Sequence, residues 1–107
     1  MSRATISTHV LDVSSGNPAA DIGVTLLAEG ETEVGEGRTG ADGRIAQLAP
    51  GGLDPGLYRL VFELEEYFGE QPHLFEMVSF DVLIDEERHY HIPLLLSPFG
   101  ISSYRGS

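Results

Sequence analysis

Cysteine and lysine are both absent from this sequence, and so is any long apolar run. Without cysteine there are no disulfides, no thiolate nucleophile and no cysteine-based zinc site. Without lysine there is no Schiff-base chemistry and no lysine of a phosphate-binding loop. The opening MSRATISTHVL has no cleavage-site pattern and no membrane-spanning stretch, so the expectation is a cytoplasmic protein with no membrane partner. Positive charge is scarce too. Six basic residues, all arginine, face 17 acidic ones, and the net charge is −11. A surface of that sign repels nucleic acid and anionic membrane. The acidic residues cluster at Glu29, Glu31 and Glu33, from Glu63 to Glu70, and at Asp85, Glu86 and Glu87, as solvated loops and edges do.

What the chain does have is strand pattern. At 107 residues it is expected to be a single domain, 1–107. A domain of this size buries about 60–70% of its unfolded surface, enough for one core but not for a deep private pocket. A site shared between subunits suits it better. Residues 4–12 alternate and are rich in β-branched side chains, with Ile6, Thr8 and Val10 on one face and Ser7, His9 and Leu11 on the other. A turn follows at 14–18, then a strand at 22–28. Residues 29–43 are rich in glycine and glutamate, with a weak strand signal over 32–39 that reads as a ragged edge. Asp42-Gly43 is a hairpin-type turn leading into a short strand over 44–48.

Residues 49–56 are loop. In the next strand, 57–64, Tyr58, Leu60, Phe62 and Leu64 share a face. Residues 65–70 have the composition of one or two helical turns, ended by Gly69 and Pro72. A strand over 74–84, a turn at 85–87 and a final hairpin complete the chain. Seven or eight short strands and at most one short helix predict a mainly β protein, an antiparallel β-sandwich.

The chain closes on HYHIPLLLSPFGISSYRGS. Alternation puts His89, His91, Pro93 and Leu95 on one face and Tyr90, Ile92, Leu94 and Leu96 on the other, so the histidines point away from the most apolar side. The candidate polar residues are His9, Arg44, His89, His91, Tyr104, Arg105 and Ser107. Histidine titrates near neutrality and suits general acid–base work. Arginine offers fixed donors to a developing oxyanion. Blander readings stand beside these. His9 on a polar strand face, His73 in its loop and Arg44 after a turn can each be solvated decoration, and Tyr58 and Tyr67 can be packing residues. His9, His89 and His91 can also be read as a three-histidine zinc site, since positions i and i+2 share a face.

Four segments add a resemblance. Ser7-Thr8-His9-Val10-Leu11-Asp12, Gly40-Ala41-Asp42-Gly43-Arg44, Tyr90-His91-Ile92-Pro93-Leu94-Leu95-Leu96-Ser97-Pro98 and Tyr104-Arg105-Gly106-Ser107 resemble, in order and across the whole chain, the motifs of 5-hydroxyisourate hydrolase, the transthyretin-like protein of urate degradation. The resemblance implies a transthyretin/prealbumin-like antiparallel β-sandwich of two four-stranded sheets with one short helix. His9, Arg44, His91 and Tyr104 would then lie on the first, fourth, seventh and eighth strands of one sheet. It also implies a homotetramer whose sites line a channel between dimers. Carried over residue by residue, His9, Arg44 and His91 match the catalytic trio, with His9 and Arg44 also touching substrate. Tyr104, Arg105, Gly106 and Ser107 match the terminus that encloses the substrate. His89 fits the pattern without belonging to the trio. Hormone-carrying transthyretins share the fold but lack the trio and the YRGS end.

The reaction so implied is hydrolysis of an amide-type C–N bond in the six-membered ring of 5-hydroxyisourate, giving 2-oxo-4-hydroxy-4-carboxy-5-ureidoimidazoline. It involves no redox step, so no cofactor is expected, and histidines that act as bases must keep their imidazoles free, so no metal is expected either. His9 and His91 would position and deprotonate a water, and Arg44 would stabilise the oxyanion. A non-catalytic carrier of small aromatic ligands, a zinc hydrolase and a purely structural β-domain are the competing readings.

Overall fold

A computed structural model describes residues 3–106. In chain order the elements are β1 (Thr5–Asp12), β2 (Asn17–Pro18), β3 (Gly23–Ala28), β4 (Glu33–Arg38), β5 (Arg44–Ile45), β6 (Gly56–Glu63), α1 (Glu65–Phe68), β7 (Met77–Ile84), β8 (His89–Ser97) and β9 (Gly100–Ser103). They form two sheets. One runs β4-β3-β6-β7, antiparallel throughout. The other runs β2-β1-β8-β9, with β5 also pairing with β1. It counts five strands only because two-residue β2 and β5 share one edge of β1: β2 pairs with Leu11 and Asp12, β5 with Thr8 and His9. The expected sandwich is present, and one pairing within it, β1 with β8, is parallel.

Alternation makes the core. Ile6, Val10, Leu94 and Leu96 from one sheet meet Val24, Leu26, Leu60 and Phe62 from the other, all essentially inaccessible to solvent. Each such side chain contributes roughly 1.5–3 kcal/mol of burial. Thr8 shares this inner face, and its hydroxyl donates to the Ile92 carbonyl at 2.7 Å, so the polar group is satisfied.

Several sequence expectations need correction. The turn expected at 14–18 ends in β2, because Asn17 and Pro18 return alongside β1. The strand expected over 44–48 stops at Ile45, and the chain then turns inward to bury Leu48 and Ala49. The strand expected from residue 74 begins at Met77. His73 is not loosely solvated: it stacks on Phe68 with ring centroids 5.0 Å apart, and its Nδ1 lies 2.7 Å from the Gln71 carbonyl. Tyr104 lies just past β9 rather than within the last strand.

Candidate active site

The outer face of the β1–β8 pair carries the candidate residues. Strand alternation turns Thr5, Ser7 and His9 outward from β1, and His89 and His91 outward from β8. The parallel register sets Thr5 beside His89, Ser7 beside His91 and His9 beside Pro93. His9 and His91 are thus diagonal neighbours across two adjacent strands.

Arg44 arrives from the other side, paired with His9 in β5. The Asp42-Gly43 turn sets that position. Gly43 has φ of 78°, a left-handed conformation, and a β-carbon there would meet the Val10 carbonyl oxygen at 2.5 Å. Its own carbonyl accepts from the Val10 amide at 2.8 Å, and Asp42 Oδ1 accepts from the Arg44 amide at 3.0 Å. The turn thereby fixes the Arg44 backbone opposite His9. The Arg44 side chain is exposed and forms no ion pair among the described residues.

His91 is half-buried. Burial lowers its pKa below the ordinary histidine value, and the nearby Arg44, His9 and His89 push in the same direction. The imidazole is therefore mostly neutral near neutrality. Its Nδ1 lies 2.8 Å from Ser7 Oγ, and its Nε2 makes no hydrogen bond among the described residues. Ser7 Oγ also lies 2.8 Å from His89 Nε2, and Thr5 Oγ1 lies 2.6 Å from His89 Nδ1. Both ring nitrogens of His89 are thus engaged, which argues against the three-histidine zinc reading. No cluster of three His, Asp or Glu side chains arranged to hold a metal occurs among the described residues.

The chain end runs alongside His91 at the edge of β8 that β1 leaves free. Beyond Ser103, which pairs with Leu94, the ladder lapses and resumes where Gly106 bridges His91. Both pairs keep one register, so the strand direction continues. The lapse falls opposite Pro93, which has no N–H to donate; the Pro93 carbonyl accepts from the Ser103 hydroxyl at 2.8 Å. Tyr104 and Arg105, in the lapse, are exposed and border an open cavity of about 460 Å³ between β7 and β9, which Phe80, Val82, Tyr90 and Ile92 also line.

Of the expected site residues, then, His9, Arg44, His91 and Gly106 gather on one face. Tyr104 and Arg105 border the neighbouring cavity mouth, and Ser107 lies outside the described residues. Ser7 and Thr5 escaped sequence reasoning. Their place on the His9 face was readable from alternation, but the parallel pairing that lays them against His89 and His91 was not.

A model of the HIUase/Transthyretin family matches residues 6–106. A probable 5-hydroxyisourate hydrolase of Caenorhabditis elegans is 42% identical, over 97% of this chain and 82% of its own. The structure of Klebsiella pneumoniae 5-hydroxyisourate hydrolase superposes with a TM-score of 0.88 at 40% identity, covering 97% of this chain and 94% of that one. Transthyretin from Sparus aurata superposes almost as well, with a TM-score of 0.86, but at 25% identity, over 94% and 95% of the two chains. The likeness runs from the first strand to the bridge that seats Gly106 on His91, and the chain belongs to the HIUase/transthyretin family.

Proposed function

We propose that this protein is a 5-hydroxyisourate hydrolase. The observation that carries the reading is the gathering of His9, Arg44 and His91 on one sheet face, with Gly106 of the closing Tyr-Arg-Gly-Ser seated against His91. The relatives at 42% and 40% identity support it, since they bear that enzyme's name. The near-equal superposition of transthyretin does not separate enzyme from carrier; the identities of 40% and 25% favour the enzyme.

In this reading His9 and the free Nε2 of His91 hold a water between them. One imidazole takes its proton as the oxygen attacks the ring carbonyl, and the oxyanion forms against Arg44. The leaving ring nitrogen then receives a proton from a histidine. Positioned proton transfer supplies about 10²–10⁴-fold, and an oxyanion donor about 10²–10³-fold. Nothing is oxidised or reduced, so no cofactor is called for. Tyr104, Arg105, Gly106 and Ser107 would enclose the substrate.

The proposal includes a homotetramer with sites between subunits. Arg44 and the histidines lie on an open sheet face rather than in a closed pocket. β7 and β9 each pair on one side only, leaving backbone groups that a second copy can satisfy. Light scattering should give four copies, and a fully active monomer would contradict the shared site. A cytoplasmic location is part of the same reading; no helix among the described residues is long and apolar enough to cross a membrane. The test of function is turnover of freshly generated 5-hydroxyisourate. Acceleration insensitive to chelator supports it, whereas ligand binding without turnover points to the carrier.

A further inference from the structure

The outer face holds more than the trio. Thr5, His89, Ser7 and His91 form one unbroken row of short contacts, with steps of 2.6, 2.8 and 2.8 Å. The row runs from half-buried His91 through Ser7 to exposed His89, with Thr5 at its far end. A serine hydroxyl has one proton to give, so Ser7 can donate to only one of the two rings and must accept from the other. When it donates to His89 Nε2, it accepts from His91 Nδ1–H, and His91 Nε2 presents a lone pair. When it donates to His91 Nδ1, that ring carries its proton on Nε2. The orientation of one hydroxyl therefore selects whether His91 Nε2 offers a lone pair or an N–H to the site.

Charge sets the direction of transfer. The groups that face His91 are His9 from β1, Arg44 from β5 and His89 from its own strand. All are cationic or neutral, so among the described residues an imidazolium at His91 has no counter-charge beside it. At His89 the same charge lies in solvent.

We propose that Ser7 and His89, steadied by Thr5, are positioning residues for His91 and form a relay that conducts the proton it accepts out to the surface. This rests on the hydrolase reading above. Water loses a proton to His91 Nε2 as its oxygen bonds to the carbonyl carbon. The Nδ1–H of His91 passes to Ser7 Oγ, and the hydroxyl's own proton passes to His89 Nε2. His91 is left neutral with its proton on Nε2, and His89 holds the positive charge. The leaving nitrogen takes the second proton of the attacking water by way of His9, so the new carboxyl group forms as the carboxylate, and the one proton each turnover releases is the one His89 delivers to solvent.

The test uses the assembled protein and the substitutions His89→Ala and Ser7→Ala. Each should lower kcat by about tenfold or more, with KM within about twofold. Imidazole added to His89→Ala should restore kcat in proportion to its concentration, and the solvent proton inventory, curved in the wild type, should become linear. Wild-type kcat in both variants, or a loss that imidazole leaves untouched, would overturn the relay. Should His89→Ala fail to assemble, His89→Gln keeps a hydrogen bond to Ser7 without carrying protons. It too should lose kcat, and full activity there counts against the relay. Nitrogen-15 spectra of the resting protein separate this proposal from the functional one. Ser7→Ala should shift the His91 Nδ1 resonance whether or not 5-hydroxyisourate is turned over. An unchanged resonance overturns the relay, and absent wild-type turnover overturns only the hydrolase reading.

Discussion

Gly106 lies so close to His91 that a β-carbon on it would meet the imidazole Cδ2 at 2.7 Å, while its amide donates to the His91 carbonyl at 2.7 Å. The closing segment is thus fastened to the residue it is proposed to serve. Gly106→Ala should tilt the imidazole or lift the chain end. A misplacement of about 1 Å can cost about 10²-fold, and kcat/KM should fall by that order. The spectrum and assembly should stay normal, because neither Gly106 nor the exposed Tyr104 and Arg105 belong to the core. Kinetics paired with circular dichroism checks this, and an active Gly106→Ala would detach the terminus from the site.

The pH dependence follows from His91. Burial first, then Arg44, His9 and His89, hold its pKa below the usual 6.5. The base form therefore persists to lower pH, and kcat/KM should fall on the acid side with an apparent pKa at or below about 6.5. The fitted value belongs to the interacting histidines together. Stability follows the same sign. Between the folded and unfolded values the unfolded chain binds more protons, so the neutral-state contribution is lost as pH falls through that window. A flat activity profile across the histidine range would exclude histidine as the base.

How much of this was legible in the chain depends on distance in sequence. The inner and outer faces of β8 followed from alternation alone, and Tyr90, Ile92, Leu94 and Leu96 are indeed its buried side. The helical turn at Glu65 and its stop at Gly69 were readable from local composition. β2 was not, and β5, expected over 44–48, ends at Ile45: both last only as long as β1 offers them an edge, which local propensity does not reveal. The Ser7 contact to two histidines needs residues 82 and 84 positions apart to meet through a parallel pairing, which no local pattern specifies.

A part-buried contact between α1 and β1 bears on stability. Tyr67 donates to Asp12 Oδ2 at 2.6 Å, tying α1 to the end of β1, and burial with this bond pushes the phenol pKa up to about 12. Burial alone would raise the Asp12 pKa, but bonds from Ser14, Tyr67 and Ser15 outweigh it and hold the carboxylate below 3.8. Its stabilisation is therefore present above the unfolded value and lost as pH falls through the folded one. Tyr67→Phe should cost about 1–2 kcal/mol at neutral pH, with a smaller deficit in acid. Urea unfolding at two pH values measures it, and an equal deficit at both would assign the loss to packing instead.

Metal should hinder rather than help. A base needs its lone pair free, and both nitrogens of His89 are already engaged. Added Zn²⁺ should inhibit, and exhaustive chelation should leave kcat unchanged. Activity that vanishes with chelator and returns with zinc would replace the histidine-base account by a metal one.

The most direct test is the decay of freshly generated 5-hydroxyisourate, corrected for its spontaneous rate, in the presence of the wild type and of His9→Ala, Arg44→Ala and His91→Ala. The wild type should accelerate ring opening, and each variant, folded and assembled as before, should lose at least about 10²-fold in kcat/KM. Wild-type decay at the spontaneous rate, or three variants as active as the parent, would contradict the account.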